Sequence, residues 1–181
     1  MFPVFLDTNA VFGAAMCDLL LNLAERATYR PLWSAGVLEE LRASLERAGI
    51  KSDAAAHRIE SMRDAFPDAE VTGYENLIPQ MECDESDRHV LAAAARGTAS
   101  VIVTFNLRHF PVSALEPYQI KAVHPDEFLL DQLDLYPSLT AQTVVDVPGY
   151  YENPPMTVSQ FCDLLCRSGV PKFVSAVTPL L

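Results

Sequence analysis

The first apolar residues of the chain are contiguous, Phe2-Pro3-Val4-Phe5-Leu6, and they stop at Asp7-Thr8-Asn9. A short β-prone run that ends in polar turn residues is the pattern of a buried strand leading into a loop. From Ala10 to about Arg26 the period changes. Val11, Ala14, Ala15, Leu19, Leu20 and Leu23 recur three and four apart, which predicts one amphipathic helix. Tyr29 to Trp33 reads as a second strand, with Pro31 restricting where it can sit in a sheet. Ser34 then stands where a helix cap belongs, ahead of a helix carrying Val37, Leu38, Leu41 and Leu45 inward. Lys51 to Phe66 predicts a further helix stopped by Pro67, and Glu70-Val71-Thr72 a short strand.

After Cys83, Asp84-Glu85-Ser86-Asp87 supplies helix-start chemistry for Val90 to Ala95, and Gly97 is expected to close that helix. Ala99–Thr104 and Tyr118–Val123 predict two more buried strands, and Pro125 to about Leu135 another helix. Strands alternating with helices imply an α/β fold, with a mainly parallel central sheet flanked by helices on both faces. Beyond Tyr136 the pattern is helical and loop-like, broken at Pro148-Gly149 and Pro154-Pro155, with helices expected near Val158–Arg167 and Lys172–Val177. The expected division is an α/β domain over residues 1–136 and a helical C-terminal extension over 137–181.

Composition narrows the class. Half of the 181 residues are hydrophobic, enough for a real core. No apolar run is long enough to span a bilayer, and the N-terminus lacks a basic segment followed by a cleavable apolar stretch, so no membrane association and a cytoplasmic location are expected. Cys17, Cys83, Cys162 and Cys166 show no CxxC spacing and read as reduced thiols. Cys162 and Cys166 would share a helical face, but a zinc site would need further ligands that the sequence does not offer. The formal charge of -11 argues against tight, non-specific binding to duplex nucleic acid. Cations are nonetheless concentrated in the first third (Arg26, Arg30, Arg42, Arg47, Lys51, Arg58, Arg63), which leaves room for a basic rim around an acidic centre.

Asp7 follows a strand, where a carboxylate either caps a turn or serves a site. Glu40 lies beside Glu39 on a helix, where solvated carboxylates are common. Asp84 and Asp87, three apart at a helix start, can cap that helix or face one site together. Asn106 follows the Val101–Thr104 strand, and in a parallel sheet its loop opens on the same edge as Asp7. Convergence of such acids needs a cation between them, and hard oxygen donors favour Mg2+ or Mn2+ over zinc. Thr8 and Asn9 are placed to orient Asp7. Ser34 reads first as a cap, His89 as a packing residue, and Trp33, Phe66, Phe105, Phe110 and Phe128 as core.

Four ordered segments carry a family resemblance over roughly residues 3–130. They are Phe5-Leu6-Asp7-Thr8-Asn9; Leu32-Trp33-Ser34 followed by Glu39-Glu40-Leu41-Arg42; Asp84-Glu85-Ser86-Asp87-Arg88-His89-Val90-Leu91-Ala92-Ala93-Ala94; and Val103-Thr104-Phe105-Asn106-Leu107-Arg108-His109-Phe110-Pro111. The set resembles the PIN-domain nucleases, and among them the VapC-type toxins of bacterial toxin–antitoxin pairs, in a subgroup with a helical C-terminal extension. The resemblance implies a PIN-like fold over residues 1–136. It also implies a catalytic set of Asp7, Glu40, Asp84, Asp87 and Asn106, with Asp7, Asp87, Glu40 and Asp84 holding Mg2+ or Mn2+. Asn106 stands where many members carry another Asp. Arg88, Arg108 and His109 are the nearest phosphate contacts, each equally readable as an ordinary surface or ion-pairing group.

The implied activity is metal-dependent endoribonuclease hydrolysis of RNA phosphodiester bonds by the toxin of a pair. The implied partners are an RNA substrate, a VapB-like antitoxin and a second copy in a homodimer. The alternative, prompted by Asn106 and the acidic charge, is a non-catalytic PIN-like module that binds RNA or protein. A phosphatase reading lacks a general acid two residues after Asp7, where Asn9 stands.

Overall fold

The computed structural model describes residues 1–181. Five parallel strands, β1 (Pro3–Leu6), β2 (Arg30–Ser34), β3 (Glu70–Val71), β4 (Val101–Val103) and β5 (Lys121–Val123), form one sheet in the order β3-β2-β1-β4-β5. The expected α/β sheet is therefore present, with β1 at its centre paired to β2 and β4. Val4, Phe5 and Leu6 are all inaccessible to solvent, as a central parallel strand covered on both faces requires. Register places Leu6 beside Val103, and the next backbone N–H, that of Asp7, donates to Val103 O at 3.1 Å. The chain thus leaves β1 at the same level at which it leaves β4.

The first helical stretch differs from its periodicity. It is two helices, α1 (Thr8–Phe12) and α2 (Ala14–Glu25), broken at Gly13, whose backbone is extended. The break frees carbonyls at the end of α1, and the Arg58 guanidinium fills that need by donating to Val11 O (2.6 Å) and Phe12 O (3.0 Å). Arg58 belongs to α4 (Ser52–Ala65), which follows α3 (Ala35–Arg47). On α3, Val37, Leu38, Leu41 and Leu45 are buried and Ser34 caps the N-terminus, accepting from Val37 N–H at 3.2 Å.

A 3-10 turn (Glu85–Asp87) leads into α5 (Arg88–Arg96). Gly97 ends α5, though not through a left-handed backbone; its φ is -77°, and Thr98 takes the positive φ of 54°. Glycine is needed at 97 for space, since a Cβ there would lie 2.8 Å from Val71 Cγ2 and 3.0 Å from Leu32 Cδ1. Short α6 (Val112–Leu115) precedes β5.

The C-terminal part contains four helices, α7 (Pro125–Leu135), α8 (Pro137–Asp146), α9 (Val158–Arg167) and α10 (Pro171–Val177). The helices expected near 158–167 and 172–177 are these last two; α8, where the sequence shows no clean apolar period, is additional. The buried Asp126 carboxylate accepts from Lys172 N–H (3.2 Å) and Phe173 N–H (2.8 Å), which ties the start of α7 to that of α10. Phe161, Leu165, Phe173 and Val177 join the same continuous core as the sheet. All four cysteines are free, and only Cys17 is fully buried. No helix is long and apolar enough to cross a membrane.

Candidate metal centre

Asp7 is the first residue after β1 and the cap of α1, so its position follows from where an apolar strand ends. It is 3% exposed. Its Oδ1 accepts from Thr8 N–H at 2.7 Å, and its Oδ2 accepts from Asn9 Nδ2 at 2.6 Å and from the Thr104 hydroxyl at 2.7 Å. Burial pushes its carboxyl above the ordinary range, the Thr104 and Thr8 hydrogen bonds pull it back, and the charges of Asp87 and Glu40 push it up again.

Thr8 and Asn9 do hold Asp7 and its neighbours. The Thr8 hydroxyl reaches Glu40 Oε2 at 2.7 Å. Asn9 Oδ1 accepts from Phe105 N–H at 2.9 Å, and the Thr104 hydroxyl oxygen accepts from Asn106 N–H at 3.0 Å. The loops after β1 and β4 are therefore bonded through side chains as well as through the sheet.

Asp7, Thr8, Asn9, Phe12, Glu40, Ser44, Asp87 and Asn106 line one open cleft of about 370 Å³. Three carboxylates from three elements thus converge with two amides, Asn9 and Asn106, and no Lys or Arg is among the lining residues. A larger groove of about 660 Å³ runs along β5, but its lining, Leu107, Phe110, Val112, Leu115 and Ile120 among others, is mostly apolar and gathers no set of chemical groups. The chemistry lies in the smaller cleft.

Asp84 is placed apart. It is exposed, does not line the cleft, and caps the 3-10 turn, with Oδ1 accepting from Ser86 N–H (3.1 Å) and the Ser86 hydroxyl (2.7 Å); these bonds hold its carboxyl below the ordinary range. It remains near the centre, because Asp84, Asp87 and His109 each offer a ligand atom within 4.8 Å of the others. His109 Nδ1 lies 2.8 Å from Asp87 Oδ2. Arg88 is half-buried with its Nε unpartnered, and Arg108 is exposed without an ion pair.

One contributor has no clear signal in the sequence. His89, read as a packing residue, places Nε2 2.9 Å from Glu40 Oε1. Partial burial raises the Glu40 carboxyl, but the His89 imidazole and the Thr8 hydroxyl outweigh it and leave it lowered; Glu40 in turn raises His89. No spacing rule joins residues on α3 and α5, although the short distance from Asp87 to His89 could have drawn attention to it. Arg47, one of the cations expected at a basic rim, donates through its guanidinium at 2.9 Å to Ser44 of the cleft wall. Of the expected basic rim, Arg42, Arg58 and Arg63 are instead engaged with Glu46, the α1 carbonyls and Glu70.

The donor set fits a hard divalent cation: carboxylates with mutual repulsion and an amide oxygen, without a protein cation between them. Asp7, Glu40, Asp87 and Asn106 are the cleft residues that could hold such an ion.

Residues 3–108 match the PIN domain family and residues 125–179 match the VapC50 C-terminal domain. The chain is 52% identical over 103 residues to the putative ribonuclease VapC50 of Mycobacterium tuberculosis (strain ATCC 25618 / H37Rv), a stretch that takes in 57% of this chain and 60% of that protein. No solved structure matches significantly. With the parallel sheet and the carboxylate cleft at its carboxyl edge, the chain belongs to the PIN-domain family, and the helices that follow match the VapC50 C-terminal domain.

Proposed function

We propose that the protein is a Mg2+- or Mn2+-dependent endoribonuclease, the toxin of a toxin–antitoxin pair. The observation that carries this reading is the convergence of Asp7, Glu40 and Asp87 with Asn106 in one open cleft. The likeness to a relative named as a ribonuclease supports RNA as the substrate. Asp84 and His109, beside Asp87, add ligands or orient it.

When bound, the ion lowers the pKa of a coordinated water and faces the phosphate with positive charge. The chain's own groups do the rest. Asn9 and Thr104 hold Asp7 Oδ2, so one Asp7 oxygen edge is fixed before any ligand arrives. Thr8, in the cleft wall, donates to Glu40 Oε2, and His89 lies beside Glu40 Oε1, so both oxygens of that carboxylate have a neighbour that aligns it. Arg47, bonded to Ser44 of the cleft wall, and the exposed Arg108, two residues after Asn106, would meet the phosphates flanking the scissile bond and offset the acidic centre.

A cytoplasmic location, a VapB-like antitoxin covering the cleft and a homodimer complete the proposal. Its test is cleavage of structured RNAs by the purified chain with Mg2+, Mn2+ or EDTA, together with Asp87→Asn. Cleavage that depends on the metal and disappears in the variant is expected; cleavage persisting in EDTA and in Asp87→Asn overturns the metal–carboxylate reading. Co-expression with the adjacent reading frame should relieve toxicity, and a neighbour that neither binds nor relieves it overturns the pairing.

A further inference from the structure

The turn between α9 and α10 lies against the loop that carries Asn106. Gly169 there has φ +97°, and a Cβ added to it would lie 2.8 Å from Phe105 Cε1 and 3.5 Å from Cζ. The C-terminal backbone therefore approaches the Phe105 ring as closely as glycine allows. The ring also packs at a right angle to His124, centroids 4.9 Å apart, and His124 caps α7, with Nδ1 accepting from Asp126 N–H at 3.1 Å. Phe105 thus touches the C-terminal helices at two places, the start of α7 and the turn between α9 and α10. The preceding residue, Ser168, is also close to the first loop, with Oγ 3.7 Å from the Cβ position of Gly13, where α1 gives way to α2.

Phe105 is connected to the acid cleft through its backbone. Its N–H donates to Asn9 Oδ1 (2.9 Å), Asn9 Nδ2 donates to Asp7 Oδ2 (2.6 Å), and its neighbour Asn106 lines the cleft. A displaced ring would move the residue whose amide orients Asn9, and a rotated Asn9 would withdraw one of the three hydrogen bonds that hold the Asp7 carboxylate. Further contacts fix the C-terminal helices to α2: Arg26 pairs with Asp146 at 2.5 Å, and the Tyr151 hydroxyl donates to Asp18.

We propose that the C-terminal helices are a buttress for the cleft, with Gly169 and Phe105 as positioning residues that set Asn9, Asp7 and Asn106. The inference rests on the reading of the acid cleft as the working site, but its test does not depend on activity.

In the full-length protein, Gly169→Ala, Phe105→Leu and the double variant are compared by residue-resolved amide hydrogen exchange and by calorimetric titration with Mn2+. Gly169→Ala is expected to speed exchange at the Phe105 amide about tenfold and to weaken Mn2+ binding by a similar factor, the signature of a locally opened loop. Alanine at positive φ also lowers the melting temperature by itself, so melting is not the deciding measurement. Leucine at 105 lacks the ring atoms that the new Cβ would strike. The double variant should therefore return to the exchange rate and Mn2+ affinity of Phe105→Leu alone. Should Gly169→Ala fold poorly, Phe105→Leu alone, which loosens the seat from the other side, must still speed exchange at Phe105 and Asn106. Unchanged exchange and Mn2+ affinity in Gly169→Ala, with a lowered melting temperature, overturns the buttress. Wild-type protein that binds no Mn2+ overturns the metal reading instead, and the exchange comparison still decides this one.

Discussion

Replacing Asp7 with Asn separates the two roles open to this carboxylate, cap of α1 and ligand of a cation. Asn and Asp cap helices about equally well, so the capping role alone predicts little change. At Oδ2 the amide would turn an acceptor into a donor facing Asn9 Nδ2 and Thr104. The Thr104 hydroxyl can rotate to accept, but the Asn9 bond is lost, costing about 1.5–3 kcal/mol for a bond to a charged group. Removing a buried anion beside Asp87 and Glu40 acts in the opposite direction, consistent with the raised pKa of Asp7.

The net effect in EDTA should stay within about 2 kcal/mol, or about 4–8 °C in melting temperature for a chain of this size. Mn2+ at a hundredfold excess over its Kd adds about 2.7 kcal/mol to a protein that binds it only when folded, which is about 5–11 °C here. Wild-type protein should show that rise in thermal melts with and without Mn2+, and Asp7→Asn should show none. An Asp7→Asn protein that gains as much from Mn2+ as wild type refutes the assignment of Asp7 as a ligand.

Asn106→Asp adds a fourth charge to the cleft lining; Mn2+ binding measured by calorimetry should tighten about tenfold or more, since a unit charge at ligand distance is worth a few kcal/mol even when heavily screened. Looser binding would place that side chain outside the coordination sphere. Glu40 raises His89, so the stabilising contribution of this pair is fully present below the ordinary imidazole pKa and is lost as pH rises through the higher folded value. Denaturant unfolding in EDTA should show that loss above about pH 6.5, and His89→Gln should remove the slope while keeping a donor toward Glu40. A slope unchanged in the variant would assign it to other groups.

The sheet, its strand positions and most helices were legible because burial writes a period into the sequence. Asp7 was legible as the residue where an uninterrupted apolar run stops, and Asp87 and Asn106 as polar residues at corresponding ends of other elements. Glu40 was not, because an exposed helical carboxylate beside Glu39 carries no pattern; the family motif supplied it. The break at Gly13 was hidden because residues on both sides keep a helical period, and what stabilises it, Arg58, is 45 positions away in sequence. The His89–Glu40 pair was hidden for the same reason. Asp84 shows the reverse case: two acids three apart look equivalent in sequence, yet one lines the cleft and the other caps the turn.

Both border strands of the sheet are short, two residues in β3 and three in β5. A foreign strand arriving at either border finds too few free backbone groups to build a ladder, and it meets Glu70, already paired with Arg63, on one side and the exposed Lys121 on the other. Short charged borders of this kind resist edge-to-edge aggregation.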